Sequence, residues 1–139
     1  MRLPHKIYAI DTGLINAIGV SITEDLGRAI ENIVALKLLR SSDLFIRFKV
    51  FYWKDQNSEI DFVVMDKLKV SQLIQVSYSL NAEKTRKREY NSLANAAELT
   101  KCNDLLLITW DEEGIAEYDG KTIKIIPLWK WLLEHYNGK

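Results

Sequence analysis

The chain has 139 residues, 47% of them apolar and 27% charged. That balance excludes a disordered chain and fits one folded domain large enough for a real core. Nineteen Lys and Arg stand against nineteen Asp and Glu, so no bulk attraction to nucleic acid exists and only a local basic patch would supply one.

Lys6–Ile10 reads as a short strand, broken by Asp11-Thr12-Gly13, and Leu14–Ile18 as one helical turn. Thr23-Glu24-Asp25 supplies an N-cap and first-turn acids, and Leu26, Ile30, Ile33 and Val34 recur at helical spacing. This predicts a helix to about Arg40, closed by Ser41-Ser42-Asp43. Leu44–Trp53 is rich in aromatic and β-branched residues and reads as a strand. A turn at Asp55–Ser58 leads to a second strand, Ser58–Met65, and Ser71–Ser79 forms a third. A helix from Asn81 or Ala82 to about Leu99 is followed by a buried strand, Asp104–Trp110. Ile115–Tyr118 and Thr122–Ile126 flank Asp119-Gly120, a hairpin signal. Pro127 suits the first turn of a last helix, Leu128 to about Tyr136. The sum is an α/β chain with a mixed sheet and no internal repeat or linker.

Alternation puts Glu59, Asp61 and Val63 on one face of their strand, and Ile60, Phe62 and Val64 on the other. The next strand puts Leu73, Gln75 and Ser77 together, opposite Ile74, Val76 and Tyr78. Two neighbouring strands thus bring polar pairs to one side of the sheet. On the first long helix Gly27, Glu31, Ala35 and Leu38 align. A carboxylate in such a stripe needs a partner or a cleft.

Lys6–Leu14, Gly27-Arg28-Ala29-Ile30-Glu31-Asn32, Tyr52-Trp53, Glu59–Val64, Gln75–Ser79 and Ile126-Pro127-Leu128-Trp129 span most of the chain. In this order they resemble the PD-(D/E)XK nuclease-like, or restriction-endonuclease-like, fold. They are similar in particular to the C-terminal domain of unknown function attached to many archaeal and bacterial AAA+-type ATPases. The resemblance implies an αβββαβ core, a mixed sheet flanked by helices, with an N-terminal strand and a C-terminal hairpin plus helix. It also implies that residues 1–139 are one domain, the C-terminal part of a longer ATPase; no Gly-x-x-x-x-Gly-Lys-Ser/Thr run is present to make this chain the ATPase module itself.

Carried over by position, Glu31 matches the family's first-helix glutamate and Asp61 its metal-binding aspartate. Gln75 stands where the second carboxylate belongs and Ser77 where the lysine belongs. Mg²⁺ or Mn²⁺ would be held by Asp61, Glu31 and Glu59, since hard cations take carboxylate oxygens. The metal generates the nucleophile and steadies phosphate charge, and the lysine adds electrostatic support. A neutral amide and a short hydroxyl do neither well. Lys69, Lys84 or Lys87 are the lysines available to replace the missing one.

Lys84, Arg86, Lys87 and Arg88 form a basic cluster suited to phosphates, though Glu83 and Glu89 interleave and a solvated helix face is the plainer reading. Trp110, Trp129, Trp131 and Tyr136 suit base stacking or, more plainly, packing, with Trp129, Leu132 and Leu133 on one stripe. His5 and His135 have no companion ligands for zinc. Cys102 is the single cysteine; it excludes an intrachain disulfide, has no nucleophile partner and points to a reducing compartment. No signal-peptide pattern is present, and no apolar run reaches the roughly 20 residues of a membrane span. The expectation is a cytoplasmic domain without membrane contact. Its functions, in order of expectation, are three. It is a catalytically impaired nuclease-like module binding DNA or a protein partner, such as the upstream ATPase module. Or it is a metal-dependent DNA nuclease using Asp61 and Glu31. Or it is an oligomerisation or docking domain using its aromatic C-terminal helix.

Overall fold

A computed structural model describes residues 22–45 and 48–136. The strand and helical turn expected over residues 6–18 lie outside the described residues, as does His5.

The first helix, α1, spans Ile22–Phe45. It runs through Ser41-Ser42-Asp43 rather than ending there, and the first strand, β1, begins at Phe48 instead of Leu44. Serine and aspartate cost a helix only about half a kcal/mol each relative to alanine, too little to stop a helix whose apolar pattern resumes beyond them. Ile30, Val34, Ala35 and Leu38 are buried along its inner face. Full burial of each larger aliphatic side chain contributes about 1.5–3 kcal/mol.

β1 (Phe48–Lys54), β2 (Glu59–Asp66) and β3 (Lys69–Val76) form an antiparallel meander. α2 (Glu83–Thr100) then crosses to β4 (Leu105–Thr109), which lies parallel to β3. β5 (Gly114–Tyr118) and β6 (Lys121–Pro127) form the expected hairpin, with Asp119 and Gly120 both at positive φ, 51° and 73°. Two positive φ angles match the twist of adjacent strands, which is why Asp-Gly serves there. Pro127 closes β6, paired with Thr109, and the last helix, α3 (Leu128–Tyr136), starts directly after it. The proline therefore ends the strand rather than opening the helix.

The six-stranded mixed sheet has the order β1-β2-β3-β4-β6-β5. Helices cover both faces. Ile30, Val34 and Leu38 of α1 and Leu128 and Trp131 of α3 pack on Phe62, Val64, Ile74, Leu106, Ile108 and Ile126. Leu93, Ala96 and Ala97 of α2 pack on Ile60, Val63, Leu73, Leu105, Leu107 and Ile123. All five residues of β4 are buried, as a central strand covered on both faces requires. The expected stripe of α3 is corrected: Trp131 is 1% exposed, whereas Trp129 is 59% and Leu133 57% exposed. At 100° per residue the helix buries the 128/131/132 side and turns 129 and 133 outward. No helix of the described residues is long and apolar enough to cross a membrane.

Candidate functional site

β2 does not alternate regularly. Phe51 faces Val63 and Trp53 faces Ile60, so Tyr52 stands opposite two residues, Asp61 and Phe62. This bulge turns Ile60 to the α2 face while Phe62 and Val64 remain on the α1 face. The expectation that Ile60, Phe62 and Val64 share one side is therefore overturned: the extra residue resets the period-two pattern. Asp61 sits at the bulge. Its Oδ2 accepts a 2.9 Å hydrogen bond from the Val76 amide of β3.

Gln75 is 4% exposed and fully engaged. Its Oε1 accepts from the Asp61 amide at 2.7 Å, and its Nε2 donates to the Glu59 carbonyl at 2.8 Å and to Glu89 Oε2 at 2.9 Å. Such a role needs a donor and an acceptor on one head group, which an amide has and an ionised carboxylate lacks. Ser77 lies just past the end of β3 rather than inside it, 8% exposed, with its Oγ donating to the Ser79 carbonyl at 3.0 Å.

Glu89 on α2 is a site residue the sequence reading passed over. It is 6% exposed. Burial, the leading cause, pushes its carboxyl above the ordinary glutamate value, and Glu59 adds repulsion. Arg88, which donates to Glu89 Oε1 at 3.1 Å, and Gln75 oppose that shift. The signal was spacing: Glu89, Ser92, Leu93, Ala96 and Ala97 are all buried at i, i+3, i+4, i+7 and i+8.

These groups border an open cleft of about 1010 Å³. Glu31 and Arg28 of α1, Glu59 and Asp61 of β2, Gln75 of β3, Ser77 and Tyr78 beyond it, and Arg88 and Glu89 of α2 all line it. The four residues matched to the nuclease pattern, Glu31, Asp61, Gln75 and Ser77, are thus brought to one place, as is Glu59. The basic cluster is split. Arg88 borders the cleft, but Lys87 pairs with Glu83 at 2.9 Å and Arg86 donates to the Leu80 carbonyl at 3.2 Å. Neither they nor Lys84 line the cleft. Lys69 opens β3 at the far end from Gln75, beside Cys102. None of the three candidate replacement lysines reaches the site. Lys54 and Arg28, not singled out from sequence, do line it.

The loop after β3 is held by Glu112. Its carboxylate accepts from the Leu80 amide at 2.9 Å and the Ser79 hydroxyl at 3.1 Å, while its own amide donates to Thr109 Oγ1 at 2.9 Å. Cys102 lies elsewhere, buried, with its thiol pushed up by desolvation, which is the opposite of a reactive thiolate.

The donor set does not fit a hard divalent cation as it stands. One Asp61 oxygen is on a backbone amide, the Gln75 amide is committed three ways, and the Ser77 hydroxyl is turned to a carbonyl. Among the described residues no group of three or more His, Cys, Asp or Glu side chains is placed to hold a metal ion.

No curated protein and no solved structure matches the chain. A family model, described as "Domain of unknown function (DUF4143)", matches residues 26–131. That stretch runs from the second turn of α1 to Trp131 in α3 and takes in every residue of the cleft, so the chain belongs to the DUF4143 family.

Proposed function

We propose that this domain is a catalytically impaired nuclease-like module that binds nucleic acid in the cleft bordered by Asp61 and Glu89. The observation that carries the reading is the Gln75 amide, hydrogen-bonded to both ends of the bulged segment and to Glu89. In the nuclease pattern that position holds a metal-binding carboxylate. Here it holds a neutral bridge. The succession αβββαβ, with β1–β3 antiparallel and β4 parallel to β3, is the one expected of such a core and supports the resemblance. Exposed Arg28, Lys54 and Arg88 at the cleft are suited to phosphates. Loss of a single electrostatic donor commonly costs about 10²–10³ in rate, and here both the lysine and one carboxylate are replaced.

The second reading is a metal-dependent nuclease: Glu31, Glu59 and Asp61 all border the cleft, though as they stand they do not form a cluster that would hold one ion. Calorimetric titration of Mg²⁺ and Mn²⁺, with cleavage and binding assays on single- and double-stranded DNA, separates the two. The impaired module predicts no cleavage and a DNA affinity that falls steeply with salt. Metal-dependent cleavage abolished by Asp61→Ala would overturn it, and a salt-independent affinity would remove the phosphate contacts.

A further inference from the structure

Trp110 ends the run after β4 with 51% of its surface in solvent. Its indole stacks on the Tyr78 ring, centroids 6.3 Å apart and planes 22° from parallel. Tyr78 borders the cleft on one side and packs on the α1 and α3 core on the other. The Trp110 amide donates to the Tyr78 carbonyl at 3.2 Å, and Glu112, two residues on, ties the adjoining loop to Thr109 and Leu80. A large aromatic is therefore held against Tyr78, and through it adjoins a cleft that carries Arg28, Lys54 and Arg88. Among the described residues Trp129, on α3, is the other tryptophan exposed to this degree; neither indole lines the cleft itself, and Trp110 adjoins it through Tyr78, whereas no such contact links Trp129 to a lining residue.

We infer that Trp110, backed by Tyr78, is a stacking platform for an unpaired nucleobase next to the cleft, so that the nucleic acid taken is single-stranded. The inference rests on the nucleic-acid reading above and narrows it. In a duplex both faces of each base are already stacked, and a protein ring gains contact only where a base is splayed out. The cations follow the backbone and the indole takes the base, a division that gives affinity without sequence preference.

The test uses the intact chain, a deoxythymidine oligonucleotide and a blunt-ended two-strand DNA duplex, at low and moderate salt. Intrinsic fluorescence and anisotropy are read for the wild type, Trp110→Ala, Trp110→Phe and Trp129→Ala, each checked for folding by circular dichroism. The expected result is tighter binding of the single strand. Trp110→Ala then weakens it roughly ten- to a hundredfold, the scale of one stacked base, and leaves duplex binding unchanged. Phenylalanine retains most of the affinity, and Trp129→Ala has no effect. Equal binding of both ligands with Trp110→Ala silent would overturn the platform while leaving nucleic-acid binding intact. An equal loss in Trp129→Ala would also overturn it. Binding of neither ligand would remove the underlying reading as well.

Discussion

Gln75 Oε1 and the Asp61 amide nitrogen stand 2.7 Å apart, joining β3 to β2 beyond the last paired residues, Phe62 and Ile74. The same side chain donates to the Glu59 carbonyl and to Glu89, so one amide fastens the bulge to α2. Gln75→Ala strands these buried partners and is expected to cost about 2–4 kcal/mol. Gln75→Glu replaces a donor with a carboxylate facing Glu89, and its loss of similar size is expected to recover as pH falls and one carboxyl protonates. Urea unfolding at neutral and mildly acidic pH measures both. A Gln75→Glu variant as stable as the wild type at neutral pH would contradict the bridging role.

Glu89 gives a pH dependence whose sign is fixed by burial. Its folded-state pKa is raised above the unfolded one, so in the interval between them the native state binds more protons than the unfolded state. Stability from this group therefore declines as pH rises through that interval and levels off above the raised value. Glu89→Gln keeps an acceptor for Gln75 and removes the titration. The difference in urea midpoint between wild type and variant is expected to grow in the variant's favour from acid to neutral pH. A difference independent of pH would refute the assignment.

Asp61 is expected to act first as a structural residue. Asp61→Ala removes the acceptor of the Val76 amide, at about 1–3 kcal/mol, and speeds hydrogen exchange at Val76. Asp61→Asn keeps an acceptor oxygen and is expected to restore most of that protection. Equal exchange at Val76 in all three proteins would show that the contact does not persist in solution.

The two tryptophans of α3 separate cleanly. Trp131 is fully buried against Ile30, Val34 and Leu38, whereas Trp129 is 59% exposed. Trp131→Ala is expected to cost about 3–5 kcal/mol, and Trp129→Ala no more than about 0.5 kcal/mol. Thermal or urea unfolding of the isolated variants decides. A large loss at Trp129 would mean that its face is covered in solution.

The sequence pattern carried the strand and helix succession well because each element has a simple signature. The buried pentamer Leu105–Thr109 and the Asp119-Gly120 turn are local facts. Glu31, Asp61, Gln75 and Ser77 border one cleft as their elements suggested, even though β3 starts two residues earlier than expected, at Lys69, and ends three residues before Ser79, at Val76. What escaped was non-local. The bulge at Asp61 leaves no mark in β2 itself; it exists because β1 has one residue fewer across from it. Glu89 hid within a charged run, where neighbours such as Glu83 and Lys87 pair on the surface. Only Leu93 one turn later and the buried Ala96 and Ala97 two turns later show that its stripe faces inward. The end of α1 was misjudged because serine and aspartate are weak stop signals.

Glu112 joins the loop after β3 to the turn after β4 through one carboxylate. Two connections that leave the same end of the sheet are thereby geared together. The rim of the cleft at Ser79 and the segment that carries Trp110 therefore share one fastening, and Glu112→Ala would release both at once.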